Sequence, residues 1–388
     1  MQFLVDINID FLGRKNTFFA ISAAVIAIGV LYVSYFGFNY GIDFAGGTMI
    51  RARFVDPPRV DIIREKIENL NLGDAMIQTF GDKHELLIRV ENIESEQTAG
   101  SEQTVKLVVN ALKSEGDKIK EAEGKFNLNE LGAATIGRKL ADLDPFNKGD
   151  EVFYQEIGKK LVTFRKENKG IIKGFDGLTT IDGMTVPLLS ILKEHFFIGS
   201  FAVTGTEMVG PKVGADLRKK ALSALSIALF FMLLYITFRF QFYFALGAIA
   251  ALAHDAFISA SLFAISGGEF NLPIIAALLT VVGYSINDTI VVYDRIRDNM
   301  RLMRKDTLEN IMNKSINQTL SRTLLTSFTT FIVVLSLYIL GSEVIRGFAL
   351  VLIIGIIVGT YSSIYIASPI ALLLNRLREK KKGKRGIK

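Results

Sequence analysis

Six apolar runs, each near the length that crosses a bilayer as a helix, constrain this chain more than any other feature. A hydrocarbon core takes about 20 consecutive apolar residues in helical form. Such runs fall at residues 17–36, 221–238, 242–266, 272–293, 323–340 and 348–374. Between the first and the second lies a long polar stretch, from about residue 39 to residue 220. Half of the 388 residues are hydrophobic, Phe (29) far outnumbers Tyr (11), and Trp is absent. An ordinary soluble enzyme or a disordered chain does not have that composition. Arg14 and Lys15 precede the first run, but the run is long and lacks a convincing small-x-small cleavage site. It therefore reads as a retained span and not as a signal peptide. The expected architecture is a multi-pass α-helical membrane protein with six transmembrane helices. Residues 1–37 hold the N-terminus and first span, 38–220 a polar domain, 221–374 spans two to six, and 375–388 a basic tail.

The placement of Lys and Arg in the short connections orients the spans. Arg14 and Lys15, Arg239, Arg295, Arg297, Arg301, Arg304 and Lys305, and the tail from Arg376 all fall on one side. The opposite short connections carry Glu269, Glu343 and a single Arg346. Both termini are thus expected in the cytoplasm and the polar domain outside, which in a bacterium means the periplasm, with the spans in the inner membrane. The net charge of +6 follows from this placement and argues for membrane orientation rather than nucleic-acid binding. Segment 294–320, between spans four and five, is basic and amphipathic, which predicts docking at the lipid interface.

The polar domain opens in an α+β pattern. Residues 48–55 alternate as a half-buried strand does, and Ile62, Ile63, Ile67 and Leu70 mark one face of a helix. Strand-like runs follow at 75–80 and 85–90, then a helix at 102–113 and a last strand at 196–203. That order is the split βαβ, ferredoxin-like arrangement. A block at about 116–187 interrupts it and reads as a helical insertion, with helices expected at 129–143 and 151–166. Lys159, Lys160, Arg165 and Lys166 are expected on a solvated helix face.

Ionisable groups inside apolar spans are costly and call for an explanation. His254 and Asp255 lie mid-way along the third run, Asp288 lies in the fourth, and Arg322 opens the fifth. Asp288 shares a helical face with Tyr284 and Ser285. A carboxyl enclosed in hydrocarbon is poorly placed to stay charged, so Asp288 is a candidate to take up and give back a proton; a structural hydrogen bond between helices is the other reading. Thr319, Arg322, Thr326, Thr329 and Ser336 form one stripe on the fifth span, which can meet Asp288 if those faces pack together. For His254 and Asp255 a proton relay and a structural hydrogen bond stay open. Gly355 and Gly359 suit close helix packing. The chain has no cysteine and three histidines, His84, His195 and His254. Thiolate metal sites and cysteine nucleophiles are therefore excluded. Phosphate loops, dinucleotide fingerprints and hydrolase triads are missing as well. No cofactor, no metal and no enzymatic activity are expected.

Two segments carry a family resemblance. Residues 41–48, Gly-Ile-Asp-Phe-Ala-Gly-Gly-Thr, resemble the motif that opens the exterior domain in the SecF branch of the SecD/SecF family. Residues 283–297, from Gly283 through Asn287 and Asp288 to Arg297, are similar to that family's fourth-span signature. Val209-Gly210-Pro211-Lys212-Val213-Gly214 and His254-Asp255 fit as well. The resemblance covers nearly the whole chain except the inserted block. It implies an accessory subunit of protein export that works with SecD beside the SecYEG channel, with YajC as a further associate and unfolded exported polypeptides as cargo. It also implies proton passage at positions matching Asp288 and Arg322, coupled to movement of the exterior domain. Asp255, His254, Ser285, Asn287 and Thr326 complete the candidate proton pathway. Gly41, Asp43, Gly46 and Gly47 are the candidate hinge motif, since glycine tolerates unusual backbone angles; a tight fixed turn serves equally. A small-molecule/proton exporter of the related resistance–nodulation–division kind and a passive scaffold for the channel are the rival readings.

Overall fold

The computed structural model describes residues 8–73, 75–90, 98–144 and 151–385. Residues 145–150 of the inserted block and 386–388 of the basic tail lie outside the described residues. Helix α1 (Lys15–Phe36) is followed by one turn, α2 (Ile42–Ala45). Then come β1 (Gly47–Phe54), α3 (Val60–Glu68), β2 (Met76–Thr79), β3 (Glu85–Val90) and α4 (Thr98–Leu112). The inserted block contributes α5 (Glu115–Ala122), β4 (Phe126–Asn127), α6 (Ala133–Leu143), α7 (Glu151–Glu167) and α8 (Val186–His195), and it closes with β5 (Phe196–Phe197). After β6 (Phe201–Val209) the chain is helical: α9 (Pro211–Arg239), α10 (Phe242–Ile265), α11 (Leu272–Leu302), α12 (Leu308–Leu340), α13 (Glu343–Ser362) and α14 (Ser368–Arg385). Residues 45–214 form one compact unit; the segments before and after them form the other.

In the α+β unit the sheet order is β2-β3-β1-β6, every neighbouring pair antiparallel. Alternation along β1 and β3 sends Ile50, Ala52, Leu86, Ile88 and Val90 to one face, where Ile63 and Ile67 of α3 and Val108 and Leu112 of α4 cover them. Ile62, expected on that face, is 39% exposed. The strand expected at 196–203 is divided. Phe196–Phe197 pairs with β4, and β6 starts only at Phe201. The break falls at Gly199 and Ser200, where buried Asp117 accepts from the Ser200 amide and hydroxyl, an alternative to ladder pairing.

The inserted block has a core of its own, built from Leu128, Ile136, Leu140, Tyr154, Leu161, Leu178, Leu188 and Leu192. Its basic face is not simply solvated. The Arg165 guanidinium donates to the carbonyls of Leu128 and Leu131, 2.8 and 3.0 Å away, and burial pulls its pKa below the usual arginine value. Lys160 pairs with Asp182 at 2.9 Å.

Among the described residues, the helical unit contains six helical segments long and apolar enough to cross a membrane, the last running through α13 and α14. A π turn at Ser363–Ala367 joins those two helices. Pro369, just beyond it, has no N–H for the helix ladder, and Tyr293 of α11 donates to the Ala367 carbonyl at 3.0 Å. Segment 294–320, expected to dock at the lipid interface, forms no helix of its own. It extends α11 and α12 into an antiparallel pair whose buried Ile296, Ile311, Met312 and Ile316 pack with Phe11 and Leu12. Asn313 accepts from the Phe11 amide, and Asn317 both accepts from and donates to the main chain of Ile9. Replacing both asparagines by alanine should loosen residues 8–13 by about 2 kcal/mol. Hydrogen exchange at the Ile9 and Phe11 amides checks it: unchanged protection would mean that the asparagines do not hold the segment.

Candidate functional site

α10, α11 and α13 converge through small residues, which lets polar side chains meet inside an otherwise apolar bundle. An added Cβ at Gly359 of α13 would lie 3.0 Å from the Ser285 Cβ of α11, and Gly355 sits against Val281 in the same way. In this seam Asp255 is fully buried. Its Oδ2 accepts from Ser285 at 2.5 Å and from Ser362 at 2.6 Å, and its Oδ1 lies 2.8 Å from Nδ1 of His254. The other ring nitrogen of His254 lies 3.0 Å from Ser22 Oγ on α1. Ser22 in turn lies 2.8 Å from the Tyr361 hydroxyl, which donates to the Phe18 carbonyl at 2.7 Å. Three helices thus reach one carboxylate and its histidine.

Asp288 lies three residues after Ser285 on the same face of α11 and is 2% exposed. Ser327 of α12 donates to its Oδ2 at 3.3 Å, and Thr360 of α13 donates to Ser327 at 2.7 Å. No lysine, arginine or histidine pairs with Asp288 among the described residues. Among the described residues, the hydroxyls of Tyr284 and Thr323 are buried without a partner.

The polar stripe expected opposite Asp288 points elsewhere except for its first member, Thr319, which is buried. Arg322, Thr326 and Thr329 are exposed on this chain, and the threonine hydroxyls return to their own helix, to the carbonyls of Arg322 and Leu325. The inward face of α12 is instead Thr319, Thr323, Ser327 and Val334, so Ser327, next to Thr326, is the residue that meets the acid. Arg322 lies roughly 140° around the helix from Ser327. Asn287 also faces out of the bundle. The structure therefore brings Asp288, Ser285, Asp255 and His254 into one seam and leaves Arg322, Thr326 and Asn287 on its outside. Sequence reading missed Ser22, Ser327, Thr360, Tyr361 and Ser362. The spacing Thr319-Thr323-Ser327 was the available signal for one of them.

The residues of the glycine motif do two different things. Gly41 and Asp43 belong to the helical unit: the Gly41 amide donates to the Phe270 carbonyl at 2.7 Å, and Asp43 accepts from the Leu272 amide at the start of α11 at 2.9 Å. An added Cβ at Gly41 would lie 3.2 Å from that carbonyl. Gly46 and Gly47 have φ of 78° and 124°, a region that favours glycine.

These features define a polytopic membrane protein whose bundle encloses two carboxylates and a histidine among hydroxyls, with an α+β unit following its first helix. Residues 190–377 match the family described as protein export membrane protein SecD/SecF, C-terminal, and residues 36–58 match the SecD/SecF GG motif. The protein translocase subunit SecF of Koribacter versatilis is 40% identical over 97% of this chain and 94% of its own length. That of Calditerrivibrio nitroreducens is 39% identical over 97% of each. A solved SecDF from Thermus, described as a translocon-associated membrane protein, superposes with a TM-score of 0.65 at 30% identity. That match covers 97% of this chain and 40% of the SecDF chain, so this chain spans less than half of that protein. The chain belongs to the SecF family of protein translocase subunits.

Proposed function

We propose that this subunit works with a SecD-type partner beside the SecYEG channel and couples the proton gradient to outward movement of unfolded exported chains. In this reading the spans lie in a bacterial inner membrane, both termini face the cytoplasm, the α+β unit stands in the periplasm, and YajC is a further associate. The observation that carries it is Asp288: a carboxyl enclosed between α11 and α12, with one long hydroxyl contact and no ion pair among the described residues. A charge so poorly compensated is expensive in a bundle, so gaining or losing a proton there changes how α11 and α12 fit together. One charge crossing about 100 mV releases about 2.3 kcal/mol, enough to shift a two-state helix arrangement many-fold. Ser327 and, through it, Thr360 feel the charge change at contact, and Arg322 feels it at longer range.

The test is export of a reporter chain into vesicles that carry a proton gradient. Asp288→Asn, nearly the same shape but unable to exchange a proton, should abolish the gradient-dependent increment and leave gradient-independent export in place. Ser327→Ala should lower the increment only a few-fold, since one hydroxyl contact is worth about 1 kcal/mol. An undiminished increment in Asp288→Asn would remove Asp288 as the coupling group.

A further inference from the structure

Hydrogen counting along the chain Phe18–Tyr361–Ser22–His254–Asp255 leaves little freedom. Tyr361 has one hydroxyl hydrogen, and the Phe18 carbonyl 2.7 Å away can only accept it. The 2.8 Å contact between Tyr361 and Ser22 must then be donated by Ser22. Ser22 has no second hydrogen, so its 3.0 Å contact with His254 requires a hydrogen on Nε2 of the ring. With Nε2 protonated, the 2.8 Å contact between Nδ1 and Asp255 Oδ1 needs one more proton, carried either by Nδ1 or by the carboxyl. Oδ2 already accepts from Ser285 and Ser362 and holds no space for it. The pair therefore carries one proton beyond a neutral histidine and a carboxylate.

We propose that the His254–Asp255 pair is a second proton-holding station of the bundle, and that Ser22 and Tyr361 are positioning residues through which its proton seats α1. This deepens the proton-coupled reading by adding a station and a helix that answers to it. When the shared proton leaves to solvent, the remaining ring hydrogen moves to Nδ1 to face the carboxylate, and Nε2 becomes an acceptor. Ser22 turns its hydrogen to Nε2, and the Ser22–Tyr361 bond is lost because Tyr361 still donates to Phe18. The chain is one hydrogen short, and the shortage falls on α1. In the middle of α1 the buried residues are Ser22 and Gly29, the latter against Ser261 of α10, while Lys15 pairs with Glu309 and Phe18 stacks on Tyr365 nearer its start, so the change is expected toward its far end. The other ionisable groups facing the pair are Tyr361 of α13, which lies against Tyr365 of the π turn, and Asp288 one turn along α11. The α9 side chains nearest α10 are apolar, Leu225, Leu229 and Met232.

The chain has no cysteine, so two spin labels can be placed cleanly, at Leu31→Cys on α1 (69% exposed) and Leu272→Cys on α11 (41% exposed). Distances between them, measured by pulsed electron resonance on the full chain in lipid nanodiscs, are followed from acid to alkaline pH. The expected result is a second α1 position whose population rises roughly fivefold on deprotonation, the value of about one hydrogen bond. Asp255→Asn, whose amide donates permanently to Nδ1, should hold α1 in one position at every pH. Tyr361→Phe frees the Ser22 hydrogen for Nε2 and should also remove the response while α1 stays seated. Asp288→Asn should leave the response intact, so failure of the Asp288 reading is separable from failure of this one. Distances that ignore pH in the unsubstituted chain, or a response that survives Asp255→Asn or Tyr361→Phe, would overturn the proposal.

Discussion

Replacing Asn129 with leucine should destabilise the inserted block by about 3–5 kcal/mol, because one buried amide satisfies three main-chain groups at once. Its Nδ2 donates to the carbonyls of Ile172 and Gly199, both at 3.0 Å, and its Oδ1 accepts from the Ile172 amide at 2.8 Å. Asn129 is 3% exposed, so a leucine there leaves those groups with neither side-chain nor bulk-water partners, and each carries a penalty of about 1–3 kcal/mol. The loss should stay local. The core beneath α6, α7 and α8, with Leu128, Leu140 and Tyr154, is separate from the sheet core around Ile50 and Ile88. Native-state hydrogen exchange should show α6 and α7 amides losing protection while β1 and β3 keep theirs. Asn168→Ala is the control: that side chain is exposed and bonds only its own helix, at the Phe164 carbonyl, so its effect should be within about 0.5 kcal/mol. Equal protection in Asn129→Leu and in the unsubstituted chain would show that the block does not depend on this amide.

The spans were legible because hydrophobic length is a one-dimensional signal. Leu272–Leu302 and Leu308–Leu340 nevertheless run beyond their apolar runs, since Ile296, Ile311 and Ile316 are buried by protein and not by lipid. Hydropathy does not distinguish those two surroundings, and for that reason segment 294–320 read as interfacial. The buried acids were legible for the same reason that they are costly: a charge in an apolar run stands out. Their partners were not. Serine, threonine and tyrosine are common in membrane helices, and nothing in the local pattern marks Ser22, Ser327 or Ser362 as facing a carboxylate. That depends on which turns of α1, α12 and α13 meet α10 and α11. The stripe through Arg322 and Thr326 shows the limit. Thr326 and Ser327 are neighbours, and a phase error of one residue, about 100° of helix, exchanges the face that meets Asp288 for the face that points away from it. In the α+β unit the element order was readable from alternation and helical spacing. The division of the last strand at Gly199–Ser200 was not, because Asp117, which captures Ser200, lies far away in sequence.

Gly355→Leu is expected to destabilise the helical unit by about 3 kcal/mol and to remove gradient-dependent export, because it wedges α13, whose hydroxyls face the acids, away from α11. A Cβ at position 355 would run into Cγ1, Cγ2 and Cβ of Val281, and one turn on, Gly359 lies against Ser285. Overpacking of a close helix contact commonly costs about 1–3 kcal/mol, and a branched side chain at a point with no room for one carbon belongs at the upper end. Any outward shift of α13 also carries Ser362 away from Asp255 and Thr360 away from Ser327, bonds now 2.6 and 2.7 Å long. Function should therefore fall further than stability alone explains. Gly283 supplies the contrast. It belongs to the same motif as Asp288, yet an added Cβ there meets nothing within 4 Å, and alanine is favoured over glycine in a helix by about 1 kcal/mol. Gly283→Ala should leave thermal unfolding of the isolated chain in detergent unchanged or slightly raised, while Gly355→Leu lowers it by several degrees. If both variants unfolded alike, the close approach of α11 and α13 would not be what positions Asp255 and Asp288.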